Sequence, residues 1–488
     1  MKTVLTHGCF DVLHSGHIQL FKEAKQLGDI LTVSITADDF ITKPNHPILP
    51  FAMRIENLQA IKYIDKIITS HNYNGVQIIN DIKPDVYVKG VEYQGIPNAN
   101  LQAEIDAVEA YGGQVVYIPM LKDIHSTKLT NNIKPEFKEF ISGFKQKYSI
   151  DDILVLLESF KDLDVLVFGE SIIDVYTYVG LMDKAPKTSV LATKYLSQEI
   201  MAGGAVYLAN TIAEFAKSVR LVTYTGQPNL TSQYIDNPIG FIKGHLSDNV
   251  YFHVIELEDR PTIIKERLIE QVFAEQSHRN TLFEVCHIDT KPIVNGRINE
   301  ILDSVCPVVD LSVIMDYGHG LLSENSIGAV IKRSHWTALN VQANESNYGF
   351  NTKKKYKDCS IDYSTMDETE LRLNMACDYL PTERLGSIYY EKNNDKCLAI
   401  SLGRDGILAY KGTASVKIPV IPVDNIIDTV GCGDAFYGLT SLCAYKGAEP
   451  DLLGFLGNII GGLKLGKVCT KDVVTKSEII NKVKELLS

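Results

Sequence analysis

Over residues 1–130, short apolar runs alternate with stretches whose apolar residues return at helical spacing, the pattern of a parallel α/β sheet. Lys2–Thr6, Ile30–Ile35, Asp85–Val88 and Gln114–Ile118 read as strands. After His14, Ile18, Phe21, Ala24 and Leu27 recur every three residues, and Gly28 can end the helix they predict. Residues 131–150, from Asn131-Asn132-Ile133-Lys134-Pro135 into a Phe/Lys-rich stretch, break the alternation and predict a partly helical linker. A second α/β pattern starts near Asp151. There Asp164–Phe168, Val219–Thr223, Leu311–Asp316 and Cys397–Leu402 have strand length, and each precedes a Gly-containing turn. Tyr176–Gln198 and Val250–Glu270 alternate in strand fashion and predict small β-flaps beside the main sheet. The expected fold class is α/β: a Rossmann-like domain over 1–130, a linker over 131–150, and an α/β/α domain with a small β-flap over 151–488.

Composition narrows the partners. A chain of 488 residues exceeds what one core supports, which agrees with two domains. A formal charge of −12 argues against nonspecific nucleic-acid binding, so phosphate ligands must be held by local lysines, arginines and backbone amides. No apolar run approaches the ~18 residues of a membrane span, and Met1–Gly8 reads as a first strand rather than a signal peptide. Nine cysteines without a C-x-x-C pair suit a reducing compartment, so a cytoplasmic protein with no membrane partner is expected.

The run Gly8-Cys9-Phe10-Asp11-Val12-Leu13-His14-Ser15-Gly16-His17 places a glycine loop after the first strand and two histidines at a helix start. Residues three apart share a helix face, so His14 and His17 can reach one ligand. Gly16 leaves room for a phosphate, and the helix N-terminus supplies unpaired amides. Nucleotidyl transfer needs that arrangement, because charge builds on the α-phosphate and the leaving pyrophosphate. Residues 1–130 resemble the cytidylyltransferase-like family. The resemblance extends to Arg54 in "MRIENLQAI", to Val88-Lys89-Gly90 and to Ile124-His125-Ser126-Thr127-Lys128. It implies catalytic roles for His14 and His17. It also implies nucleotide contacts from Gly8, Cys9, Phe10, Lys43, Arg54, Ser126, Thr127 and Lys128, and acceptor contact from Lys89. His7 stands where relatives carry Asn or Tyr, and Val91-Glu92-Tyr93 replaces Gly/Asp-Asp-Tyr, which leaves acceptor and base open.

Asp428-Thr429-Val430-Gly431-Cys432-Gly433-Asp434-Ala435-Phe436 is the second chemical signature. Glycines at 431 and 433 let backbone N–H groups converge into an anion hole at a helix start. Asp434 then sits where a carboxylate can take the proton of an attacking hydroxyl. Residues 155–488 resemble the ribokinase (PfkB) carbohydrate kinases through this run and several others. These are Gly169–Asp174, Met201-Ala202-Gly203-Gly204-Ala205, Arg260–Arg267, Asp316-Tyr317-Gly318-His319-Gly320 and Ser401–Gly406. The resemblance implies Asp434 as base, Gly403, Gly431, Cys432 and Gly433 at the nucleotide, and Asp174, Gly203, Gly204, Tyr207 and Asn210 at the sugar. It also implies Mg2+ with ATP (or CTP), with Glu368 or Glu370 as the magnesium-associated acid. The departures lie on the sugar side: Glu170 for Asp, Tyr207 for Asn, and His319 for Lys.

Both modules in one chain resemble the bifunctional ADP-heptose synthases, with the domain order reversed. That implies a heptose-type kinase joined to an adenylyltransferase, with small-molecule sugar and nucleotide substrates. The alternative keeps both folds but uses CTP and a polyol or other sugar. A regulatory protein with a dead kinase is disfavoured by His14, His17 and Asp434. Related kinases and transferases pair, so a homo-oligomer is expected, with the flap as one candidate interface.

Overall fold

A computed structural model describes the whole chain except residues 12, 14, 42–46, 48, 92–98, 119–134, 185–189, 228–233, 271–279, 294–295, 306–307, 344–346, 348 and 424–425. It separates into two compact units, Met1–Ile133 and Lys134–Ser488.

In the first unit β-branched and apolar runs form β1 (Thr3–Gly8), β2 (Ile30–Thr36), β3 (Lys66–Ser70), β4 (Val86–Gly90) and β5 (Gln114–Ile118). They lie in the order β3-β2-β1-β4-β5, all parallel. Chain direction across the sheet reverses between β1 and β4, so the strand ends at Gly8 and Gly90 flank the crevice where such sheets take ligands. The helix Ser15–Gln26 lays Leu20, Phe21 and Ala24 on the sheet, each at most 5% exposed. Burying a Leu- or Phe-sized side chain contributes about 1.5–3 kcal/mol. A Cβ on Gly28 would stand 2.7 Å from the Lys2 carbonyl oxygen, so only glycine lets the chain turn back there. β3 escapes a hydrophobicity reading because it is an edge strand, half-exposed along most of its length.

The second unit begins with a correction. Residues 135–147, inside the expected linker, form the helix Pro135–Lys147 and join the core. Phe137 and Phe144 are buried, the Phe144 ring lies 4.3 Å from Phe455, and Lys147 and Tyr148 both bond Asp451. The Phe/Lys alternation that looked like a tether is an amphipathic helix face. Its strands in chain order are β6 (Asp164–Gly169), β7 (Ser171–Lys184), β8 (Leu191–Gly204), β9 (Ser218–Thr225), β10 (Val250–Glu256), β11 (Ile264–Glu270) and β12 (Asn280–His287). β13 (Val309–Asp316), β14 (Ser334–Val341), β15 (Tyr363–Asp367), β16 (Cys397–Ser401), β17 (Ile407–Lys411) and β18 (Ala414–Ile418) follow.

Among the described residues they make a main sheet, β10-β9-β6-β13-β14-β15-β16-β17-β18, and a flap, β12-β11-β7-β8. The main sheet is parallel up to β16, and β17 and β18 run antiparallel. Val250–Glu256, expected in a flap, instead pairs with β9 as the edge of the main sheet. Ile255 is buried and its neighbour Glu256 exposed, as on an edge strand covered on one face, which a flap strand matches in sequence. The helices Ala205–Ala213, Cys432–Tyr445 and Pro450–Leu465 pack together with the sheet in one apolar core. No helix among the described residues is long and apolar enough to cross a membrane.

Candidate active sites

In the first unit, β1 ends at Gly8, and the chain turns through Phe10 at φ 46°, a left-handed conformation that costs a non-glycine residue about 1–2 kcal/mol. The turn brings the Phe10 ring edge-on to His17, 5.6 Å between centroids, and against Phe21. Arg54 holds this loop from beneath. It is wholly buried, donating to the carbonyl oxygens of Cys9 and Thr36 and pairing with Asp38 at 2.6 Å. Both terminal nitrogens thus bind protein, and the side chain braces the loop through the Cys9 carbonyl oxygen.

Behind the loop lies a polar cluster. His7 Nδ1 meets Ser34 Oγ at 3.0 Å, and burial, helped by the Lys89 charge, pushes its imidazole down to about 4, so the ring is neutral at pH 7. Lys89 pairs with Glu104 at 2.9 Å and donates to the His7 carbonyl oxygen. The Tyr87 hydroxyl and the Gly75 amide donate to the same carboxylate. Burial alone would raise the Glu104 carboxyl, but Lys89 and the Gly75 amide hold it below its usual range. Lys89, expected on the acceptor, is paired here with Glu104 of the helix Ala99–Glu109. His14, Lys43, Ser126, Thr127 and Lys128 lie outside the described residues.

In the second unit Gly431 adopts φ 81° and caps the helix Cys432–Tyr445, whose first-turn amides point outward by helix geometry. A Cβ on Gly433 would meet nothing, so the space over this turn is open. Asp428 organises the approach, accepting from the Val430 and Cys469 amides and from the Tyr176 hydroxyl. Asp434 is half-buried in the first turn and accepts a 2.7 Å hydrogen bond from the Tyr317 hydroxyl. Burial pushes its carboxyl up to about 6, with Tyr317 opposing and Asp174 adding to the rise. Such a group is mostly ionised at neutral pH yet basic enough to take a hydroxyl proton.

Tyr317 is set by Glu170, the single residue between β6 and β7. The buried Glu170 carboxylate accepts from the amides of Tyr317, His319 and Leu321, while its backbone oxygen accepts from Ala205. Burial and the nearby Asp316 raise its carboxyl. Asp174 pairs with Arg267 at 2.7 Å, and Arg267 also pairs with Glu284 at 2.6 Å. Gly203 lies against Asp174: a Cβ there would come within 2.1 Å of Oδ2. Gly204, at φ 58°, faces the Glu170 carbonyl oxygen, which a Cβ there would approach to 2.6 Å. Tyr207 and His319 are buried, and their Oη, Nδ1 and Nε2 atoms lack hydrogen-bond partners among the described residues. Burial, with Lys265 nearby, pushes His319 down to about 3, so it is a neutral ring.

Two expected residues are placed elsewhere. Asn210 binds the His245 carbonyl oxygen and the Ser247 amide, so its amide anchors the loop before β10. Glu370 is the capping-box residue of the helix Glu368–Met375, accepting from the Asp367 and Ala343 amides, and burial pushes it up to about 8. With both oxygens engaged and a raised pKa, it does not fit a direct magnesium ligand. Among the described residues no group of three His, Cys, Asp or Glu side chains could hold a metal ion. Gly403, at φ 57°, sits in the turn after β16 with open space around it.

The family model described as cytidylyltransferase-like matches residues 5–132, and that of the pfkB family carbohydrate kinases matches residues 329–476. The chain joins a cytidylyltransferase-like domain to a PfkB-type domain. A Bifunctional protein HldE from Desulfatibacillum aliphaticivorans is 34% identical over 136 residues, 27% of this chain and 27% of that protein. Its counterpart from Streptomyces coelicolor is 34% identical over 131 residues, 26% of this chain and 27% of the relative. The chain thus aligns with little more than a quarter of these relatives. Among solved structures, the phosphofructokinase-2 of Escherichia coli in complex with potassium has a TM-score of 0.51 at 14% identity, covering 67% of this chain and 100% of that one. The ribokinase of Arabidopsis thaliana complexed with ribose and ATP has a TM-score of 0.50 at 17% identity, covering 66% of this chain and 99% of its own. At these identities the likeness to solved structures establishes only a fold, the ribokinase-like α/β/α unit with a β-flap, while the nucleotidyltransferase-like fold of the first unit rests on the family match over residues 5–132.

Proposed function

We propose that the PfkB-type domain transfers the γ-phosphoryl group of ATP to a sugar hydroxyl, and that the first domain joins the sugar 1-phosphate to a nucleotide, releasing pyrophosphate. The observation that carries this reading is Asp434, hydrogen-bonded to Tyr317 in the first turn of a helix capped by left-handed Gly431. Asp434 takes the hydroxyl proton as the oxygen attacks. The helix N-terminus receives the charge on the transferring group. Asp174, fixed by Arg267 beside Gly203, offers its carboxylate to sugar hydroxyls. Magnesium enters with the nucleotide phosphates, and no step assigned to the chain runs through a protein-held metal. In the first domain, His14 and His17 act on the α-phosphate.

A heptose-type sugar with ATP in both halves is the reading we favour, resting on the resemblance of the two sets of motifs, joined in one chain, to the bifunctional ADP-heptose synthases. CTP with a polyol or other sugar is the second, favoured by the cytidylyltransferase-like match. We further propose a homo-oligomer, since the flap exposes Leu181, Met182, Leu191 and Tyr195. The test screens sugars and sugar phosphates against ATP and CTP, following products by mass. Asp434→Asn should lower sugar-dependent ADP formation ~10²–10⁴-fold while sparing pyrophosphate release from a supplied sugar 1-phosphate. His17→Ala should do the reverse. Loss of both activities from either change, in folded protein, refutes two independent sites.

A further inference from the structure

Beside the anion pocket at Gly431 lies a charge that the reaction described so far leaves unused. Lys464, in the last turn of the helix Pro450–Leu465, is wholly buried, and its ammonium has no hydrogen-bond partner among the described residues. Its Cε lies 3.2 Å from where a Cβ on Gly431 would stand, and Tyr207 Cε1 lies 3.4 Å from the same point. The ammonium sits 5.7 Å from the Tyr207 ring centroid, and the Tyr207 hydroxyl is likewise buried without a partner.

The charged and titratable groups around Lys464 are Asp428, Asp434, Cys432 and Cys469. None of them bonds it. Asp428 is taken up by Val430, Cys469 and Tyr176, and Asp434 accepts from Tyr317. Burying a cation without a partner is strongly unfavourable, and a lysine at a helix end ordinarily reaches water. A buried unpaired donor beside a turn of outward-pointing amides is explained if a ligand completes its bonding.

We propose that Lys464 is a phosphoryl-binding residue of the kinase site, its ammonium meeting the non-bridging oxygens of the transferred group beside the first-turn amides. This rests on the kinase reading above. In the step it serves, the bond from the γ-phosphorus to the β–γ bridging oxygen breaks, and its electron pair leaves with ADP. The sugar oxygen bonds that phosphorus, and the hydroxyl proton passes to Asp434. Lys464 keeps its proton throughout and acts as a fixed positive charge.

The experiment compares full-length wild type, Lys464→Met and Lys464→Arg. Methionine keeps the length and apolar stem without the charge. Its kcat for sugar-dependent ADP formation should fall ~10²-fold, the cost of removing one preorganised donor, with the sugar KM unchanged. Arginine should restore part of that rate. The methionine variant should also melt higher than wild type, because an uncompensated buried charge has gone. Independently of turnover, ADP with aluminium fluoride, a mimic of the transferring phosphoryl group, should raise the Tm of wild type and not that of Lys464→Met. Any contribution of the first domain is common to both proteins. Equal ADP rates, or equal fluoride increments, overturn the assignment, as does a methionine variant that melts lower with its increment intact. If wild type forms ADP with no sugar tested, the kinase reading fails, and the fluoride increments still decide whether Lys464 binds a phosphoryl group.

Discussion

Tyr317→Phe isolates what one hydroxyl does to the base. The Tyr317 hydroxyl donates to Asp434 Oδ1 at 2.7 Å and stabilises the ionised carboxylate, opposing the rise that burial imposes. A hydrogen bond to a charged group contributes about 1.5–3 kcal/mol, and about 1.4 kcal/mol corresponds to one pKa unit. Removing it should therefore raise the Asp434 pKa by about one to two units from its value of about 6. The base works ionised, so the rate rises with pH through this pKa, and the variant needs a higher pH to reach the same rate. At about pH 7 the ionised fraction drops from roughly nine-tenths to between a half and a tenth, a loss of about two- to tenfold. At about pH 9 both proteins should be close to their plateaus. The assay is kcat/KM for sugar-dependent ADP release across the acid limb, which reports the free enzyme's essential groups. An unmoved midpoint, or a uniform loss at every pH, would refute the assignment of Tyr317 to the ionisation of Asp434.

Glu104→Gln should destabilise the first domain by about 3–5 kcal/mol in denaturant unfolding, because it leaves the Lys89 ammonium buried without its carboxylate. The depressed pKa of Glu104 adds a sign. Its contribution is present above the unfolded carboxyl pKa and is lost as pH falls through the lower folded value, so acid should narrow the gap between variant and wild type. Gly203→Ala should raise the sugar KM at least tenfold with ATP binding retained, since the new methyl group displaces an Asp174 carboxylate pinned by Arg267.

Contiguous features were legible in sequence. The run Gly431–Asp434 announces itself because Gly431 takes a left-handed conformation that favours glycine, whereas in the loop Gly8–Phe10 that conformation falls on Phe10 and the signal is the run of residues itself. What stayed hidden depends on residues far apart along the chain. Tyr317 and Asp434 are 117 residues apart, and nothing at either position announces the bond. Lys464, between Leu463 and Leu465, reads as an ordinary solvated helix end until the fold turns it inward. Arg54 shows the same limit from another side. A basic residue near a phosphate loop suggests a ligand contact, but the Cys9 and Thr36 carbonyl oxygens needed a donor first. The helix in the stretch read as a partly helical linker was legible, but its packing on the second unit's core was not, because a Phe/Lys pattern is the same whether its apolar face meets another helix or water.

Glu170 ties together parts that function treats as separate. Its side chain holds the turn that presents Tyr317 to the base, and its backbone oxygen holds Ala205, where the sugar loop enters its helix. Position 170 is thus a shared anchor, so altering it disturbs substrate selection and proton transfer at once. On the kinase reading proposed above, a change of sugar acceptor would run through the buried side chains of Tyr207 and His319, whose Oη, Nδ1 and Nε2 atoms have no hydrogen-bond partner among the described residues. Changes at those two side chains would leave the Glu170 anchor in place.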